Sequence, residues 1–175
     1  MRKSLMELRV QREKKRRRSW VVALVVLVAL VWGLNYVMIS RPVAAALAAD
    51  PRTAGITLAA HLRYFVDPTT LSLDLRGVGT ADTTDVFRGL FAAAKALADG
   101  SWGIPHTVSL SRGGALVYTV AGDDLRQQAH DFPLARKPAA ILGALVRALR
   151  GPDGKPLGPE ATVESAARRW VTGHP

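Results

Sequence analysis

From Ser19 to Ile39 the chain carries no ionisable side chain except Tyr36, and Val and Leu dominate the stretch. Twenty-one residues at about 1.5 Å each reach roughly 31 Å, the hydrocarbon thickness of a bilayer. The run is apolar on every face, whereas a surface helix of a soluble domain keeps a polar side. Trp20 stands at one end and Trp32 and Tyr36 toward the other, the rings that favour the headgroup level. The pattern predicts a membrane-spanning helix.

Beyond it the pattern breaks into shorter periods. "RPVAAALAADPRTAG" (residues 41–55) reads as a juxtamembrane connector punctuated by Pro42, Pro51 and Gly55, with a helix over its Ala run as the other reading. "ITLAAHLRYF" (56–65) is expected to be helical, with His61 a partly exposed helix residue. "LSLDLRG" alternates Leu71, Leu73 and Leu75 with Ser72, Asp74 and Arg76, the period-two signature of a half-buried strand. Helical spacing returns in Val86, Phe87, Leu90, Phe91, Ala94 and Leu97, with Asp82 or Thr83 as the expected cap and Gly100 as the stop. Gly89 within that helix points to close packing against the sheet. "HTVSLS" and "ALVYTV" flank "RGG" as a hairpin. Helices are expected from Asp123 or Asp124, from Pro138 to Leu149, and over "EATVESAARRW", with Trp170 docking on the domain. The fold class is thus α+β: one N-terminal transmembrane helix, then a small domain with a β-α-β-β core and C-terminal helices.

Charge sharpens the division. The net charge is +10, but residues 1–18 alone hold nine Lys or Arg against Glu7 and Glu13, and the other 157 residues nearly balance. The expected organisation is a basic cytoplasmic tail (1–18), a transmembrane helix (19–40), a connector (41–55) and an extracytoplasmic α+β domain (56–175). The cationic flank sets the N-terminus in the cytoplasm by the positive-inside bias, and the tail on anionic lipid. Leu5, Leu8 and Val10 fall on one side of it at helical spacing. The excess of cations over acids lies mostly in the tail, and Tyr64, Phe65, Trp102 and Tyr118 read as structural aromatics rather than stacking platforms. Both features argue against nucleic acid as a partner. Abundant Ala and Arg with little Lys outside the tail fits a bacterium with a GC-rich genome. The expected location is therefore the bacterial inner membrane.

A cleaved signal is the competing reading of the N-terminus. "RRRSWV" fits a loose twin-arginine pattern, and Ala46-Leu47-Ala48 has the small-x-small form of a cleavage site. The apolar core is longer than the usual 7–15 residues of such signals, and the small residues lie past its end, beyond Arg41 and Pro42.

Chemistry-bearing motifs are sparse. The chain has no cysteine, which excludes disulfides, thiolate metal sites and cysteine nucleophiles. His61, His106, His130 and His174 stand far apart, with no metal-ligand spacing. "GSWG" (100–103) lacks the Gly-x-Ser-x-Gly elbow and reads as a helix stop. "RGVG" (76–79) reads as a turn, and Asp123-Asp124 as a helix start. No catalytic, cofactor-binding or metal-binding residue is assigned and no cofactor is expected. Asp74, Arg76, His106 and Tyr118 are the first residues to consider for an enzymatic site built from scattered positions. The expected role is contact with protein partners, as a structural or accessory subunit of a cell-envelope assembly. An exported enzyme or ligand-binding protein with a cleaved signal is the alternative.

Overall fold

The computed structural model describes residues 2–100, 103–134 and 137–173. The chain divides into two compact units, Met1–Leu34 and Asn35–Pro175. Ser101 and Trp102 of the expected helix stop, and His174, lie outside the described residues.

Helix α1 runs from Arg2 to Asn35. Every residue from Arg17 to Leu30 is exposed, Val and Leu included. The helical stretch Arg17–Ala49 is long and apolar enough to cross a membrane by length and composition.

The second unit is α+β. It opens with Asn35 and a π-helical turn, Tyr36–Ser40, followed by helix α2, Arg41–Ala49. The Arg41 amide donates to the Tyr36 carbonyl, one residue farther back than in an α-helix. Pro42 explains the wider turn: its ring would crowd the carbonyl four residues before it, and it has no N–H for that bond. Val43 and Leu47 of α2 are buried in the core, so much of the stretch expected as a connector is a packed helix.

Four strands form one sheet in the order β1-β2-β3-β4: β1 (Thr57–Arg63), β2 (Asp67–Gly77), β3 (Thr107–Arg112) and β4 (Ala115–Ala121). The outer pairs are antiparallel and β2 runs parallel to β3. Helix α3 (Asp85–Ala98) makes the crossover that a parallel pair requires. The sequence of elements is thus β-β-α-β-β. The expected β-α-β-β core lacks its first strand, because Thr57–Arg63 is a strand and not the expected helix. Leu58, Ala60 and Leu62 are buried while Thr57, Ala59, His61 and Arg63 are more open, which is a period of two. Ala at one of the inward positions weakened that alternation in the sequence.

Leu71, Leu73 and Leu75 point into the core with Val108, Leu110, Tyr118 and Val120, and α3 contributes Val86, Phe87, Leu90 and Phe91. Helix α3 begins after Thr84, and no side chain caps it, in place of the expected Asp82 or Thr83. A Cβ on Gly89 would lie 3.1 Å from Leu47 and 3.2 Å from Ile56. The close approach Gly89 permits is therefore to α2 and Ile56 rather than to the sheet. Helices α4 (Gly122–Asp131), α5 (Pro138–Ala148) and α6 (Val163–Thr172) follow. Thr162 and Ser165 form a capping box at the start of α6. Trp170 is fully buried, stacks on Phe87 at 6.0 Å, and donates from Nε1 to the Ser111 carbonyl at 2.9 Å.

Both sheet edges are occupied by other parts of the chain. Along β1, the Leu62 amide donates to Asn35 Oδ1 at 3.0 Å, and Ser40 Oγ donates to the Ala60 carbonyl at 2.7 Å. Along β4, Thr119 and Arg150 exchange both backbone hydrogen bonds at 2.9 Å.

Candidate functional site: the open face of the sheet

Strand alternation puts the leucines of β2 against the helices and turns Thr70, Ser72 and Asp74 to the opposite face. The register lines up His61, Ser72, Ser109 and Thr119 across all four strands, and Thr70 beside Thr107. These side chains line an open depression of about 470 Å³, with Arg63 and Tyr64 on its margin near β1 and Ser111, Gly114 and Leu116 at the other end. Ser72, Ser109 and Thr119 are half-buried. Each hydroxyl can both donate and accept, and short side chains lose little freedom on being covered. The surface suits hydrogen bonding to a polar partner.

Asp74 closes one end. It is 2% exposed, and its Oδ1 accepts the Gly114 amide at 3.0 Å, so it holds down the tip of the β3–β4 hairpin. Gly113 and Gly114 both have positive φ, as the tight turn requires. Arg76 Nε lies 2.7 Å from Asp74 Oδ2 as an ion pair. Its N–H is not aligned with that oxygen, which is left without a hydrogen bond among the described residues. The pair is a fastening for the turn.

Neither Tyr118 nor His106 converges with that pair. Tyr118 faces the helices, on the opposite side of the sheet from Asp74, and its hydroxyl donates to the Ala166 carbonyl at 3.2 Å. Burial pushes the Tyr118 phenol up, and the Arg169 guanidinium, 5.8 Å from its ring, partly offsets that. His106 is exposed just before β3, and its carbonyl accepts the Gly122 amide at 2.7 Å. His61 and Ser72 are cross-strand neighbours, but no hydrogen bond joins them. The His61 Nδ1 lies 2.9 Å from the Leu62 carbonyl and its ring stacks on Phe65 at 4.8 Å. A serine nucleophile needs a hydrogen-bonded base that is itself oriented by a third group, and that arrangement is not built here. Among the described residues no set of three or more His, Asp or Glu side chains is gathered as for a metal ion.

The serine and threonine row of β2, β3 and β4 obeys no spacing along the chain, so no sequence motif reveals it. Its signal is the polar half of each alternating strand, visible once the strands are aligned.

No family model, no curated protein and no solved structure matches this chain.

Proposed function

We propose that the protein is a single-pass membrane protein of the bacterial inner membrane, N-terminus in the cytoplasm. Its extracytoplasmic domain acts by protein–protein contact, as a structural or accessory subunit of a cell-envelope assembly, and the hydroxyl-rich sheet face is the contact surface. The observation that carries the reading is the exposed apolar helix. Eleven Val and Leu residues lie between Trp20 and Met38. Each favours insertion by about 0.3–0.6 kcal/mol, several kcal/mol in sum. Asn35, the polar exception, is buried at 6% exposure and bonded to β1, so it does not burden that sum.

The packing of α2 supports an uncleaved anchor over a removed signal. A cut after Ala48 would strip Ile39, Val43 and Leu47 from the core, each at most 3% exposed. It would also remove Asn35 and Ser40 from the β1 edge. Burial of three such side chains is worth roughly 5–9 kcal/mol, comparable to the whole stability of a small domain.

The test combines fractionation with crosslinking in intact bacterial cells. Full-length chain with its initial Met1 should stay in the membrane pellet after alkaline carbonate washing. A photo-crosslinking residue at Ser109 should capture a discrete protein that the same residue at Gln127, exposed on α4, does not. Release of the intact chain by carbonate overturns the anchor, and equal capture at the two positions overturns the contact face.

A further inference from the structure

We propose that the tip of the β1–β2 hairpin, Tyr64–Val66, is an interfacial lipid-binding loop that seats the domain on the bilayer holding its own helix. The inference rests on the membrane reading above and adds a second point of attachment to it.

Four observations meet at this turn. Tyr64 is 74% exposed, Val66 66% and Phe65 38%, so three consecutive large apolar residues project from a hairpin tip. Tight turns that need positive φ at two successive central residues normally hold Asn-Gly or Asp-Gly there. Here Tyr64 has φ 53° and Phe65 φ 64°, and the turn is closed by the Phe65 amide on the Leu62 carbonyl and the Val66 amide on the Arg63 carbonyl. Aromatic residues in that region are strained. In return Tyr64 contacts Arg63 at the surface, and most of the residue stays in solvent.

The place of the turn supplies a use for it. Asn35 Nδ2 donates to the Phe65 carbonyl at 2.9 Å and Asn35 Oδ1 accepts from Leu62, so the tip is fastened at the level of Asn35. Asn35 stands at the end of the exposed apolar run, directly after Leu34, and its neighbours Tyr36 and Val37 are more than half exposed. A tip at that level meets the boundary between headgroups and acyl chains, where Tyr and Trp rings are favoured. Arg63 is exposed beside it, its guanidinium 5.0 Å from the Tyr64 ring and bonded to the Tyr64 hydroxyl at 3.3 Å. A cation there can reach a lipid phosphate while its stem lies along the aromatic surface.

The native chain has no cysteine, so single cysteines can report depth. Full-length Val66→Cys, Leu27→Cys and Gln127→Cys, each carrying an environment-sensitive fluorophore, are reconstituted in phosphatidylcholine–phosphatidylglycerol vesicles containing doxyl-labelled lipids. The expected result is blue-shifted, quenched emission at positions 27 and 66 and unquenched emission at 127. In a Tyr64→Asn/Phe65→Gly background the quenching at 66 should be lost while that at 27 persists. Quenching at 27 without quenching at 66 overturns the loop and leaves the anchor standing, whereas no quenching at 27 overturns both. Quenching at 66 that survives the Asn-Gly replacement overturns the part given to the aromatic rings. A photo-crosslinker at Tyr64 that captures a protein rather than lipid in cells overturns the lipid assignment.

Discussion

Asn35 serves Leu62 as a neighbouring strand would: its amide side chain accepts the Leu62 N–H at 3.0 Å and donates to the Phe65 carbonyl at 2.9 Å. One side chain at the end of the apolar run thus supplies both a donor and an acceptor to the β1 edge and its turn. Ser40 adds a third bond five residues later. Replacing Asn35 by Leu makes the run more apolar and leaves the Leu62 amide unpaired. The expected loss is about 1–3 kcal/mol, read as a lower urea midpoint for the domain of the detergent-solubilised chain, with unchanged carbonate resistance.

Relief of the strained turn acts in the opposite direction. Tyr64→Asn/Phe65→Gly places residues suited to positive φ where the backbone already has it. Strain of this kind amounts to about 1–3 kcal/mol per residue. The double variant is expected to be more stable by one to a few kcal/mol in detergent, measured by thermal or urea unfolding. A destabilised variant would mean that the Phe65 stack on His61 outweighs the strain.

Gly122 begins α4 against the end of the loop before β3. Its amide donates to the His106 carbonyl, and a Cβ there would overlap the Pro105 carbonyl oxygen. Backbone on both sides leaves nothing flexible to yield. Gly122→Ala is expected to cost more than about 3 kcal/mol, seen as loss of the cooperative unfolding transition or of soluble domain after limited proteolysis. Gly154→Ala, where no atom lies within 4 Å but φ is 77°, should cost about 1 kcal/mol.

Tyr118 carries a pH dependence of defined sign. Burial raises its phenol above the ordinary 10.0 in the folded state. The unfolded chain therefore releases this proton first, and stability is full below pH 10 and falls as pH rises through that value. Tyr118→Phe is expected to lose about 1 kcal/mol at neutral pH, for the hydrogen bond to Ala166. The variant should also lose part of the alkaline decline, measured as the difference in urea midpoint between pH 8 and pH 11.

The fold was legible where one physical signal acted alone. Leu71, Leu73 and Leu75 alternate with polar residues, and the stripe from Val86 to Leu97 recurs at 3.6, so β2 and α3 stood out. The hairpin of β3 and β4 was announced by Gly113 and Gly114. Strand β1 was hidden because Ala, Leu, His and Arg are better helix than strand formers, and because pairing with β2 decides its form. Helix α2 was half legible: its Ala run allowed a helix, but an Ala-rich segment just behind an apolar run looks like a tether until Gly89 makes room for Leu47. The uncovered face was half legible, since Ser72 belongs to a visible alternation, but its alignment with Ser109 and Thr119 is a matter of register. Asn35 was a polar residue alone in an apolar run, and that oddity was its only mark.

The β1 edge remains blunt only while the segment from Asn35 to Ser40 stays attached. A fragment beginning after Ala48 would offer bare amides and carbonyls at Ala60 and Leu62 to any extended chain nearby, beside an opened core. Such an edge templates intermolecular strand addition. Proteolytic shedding of this domain from its helix would therefore yield a species prone to growing aggregates rather than a free, monomeric module.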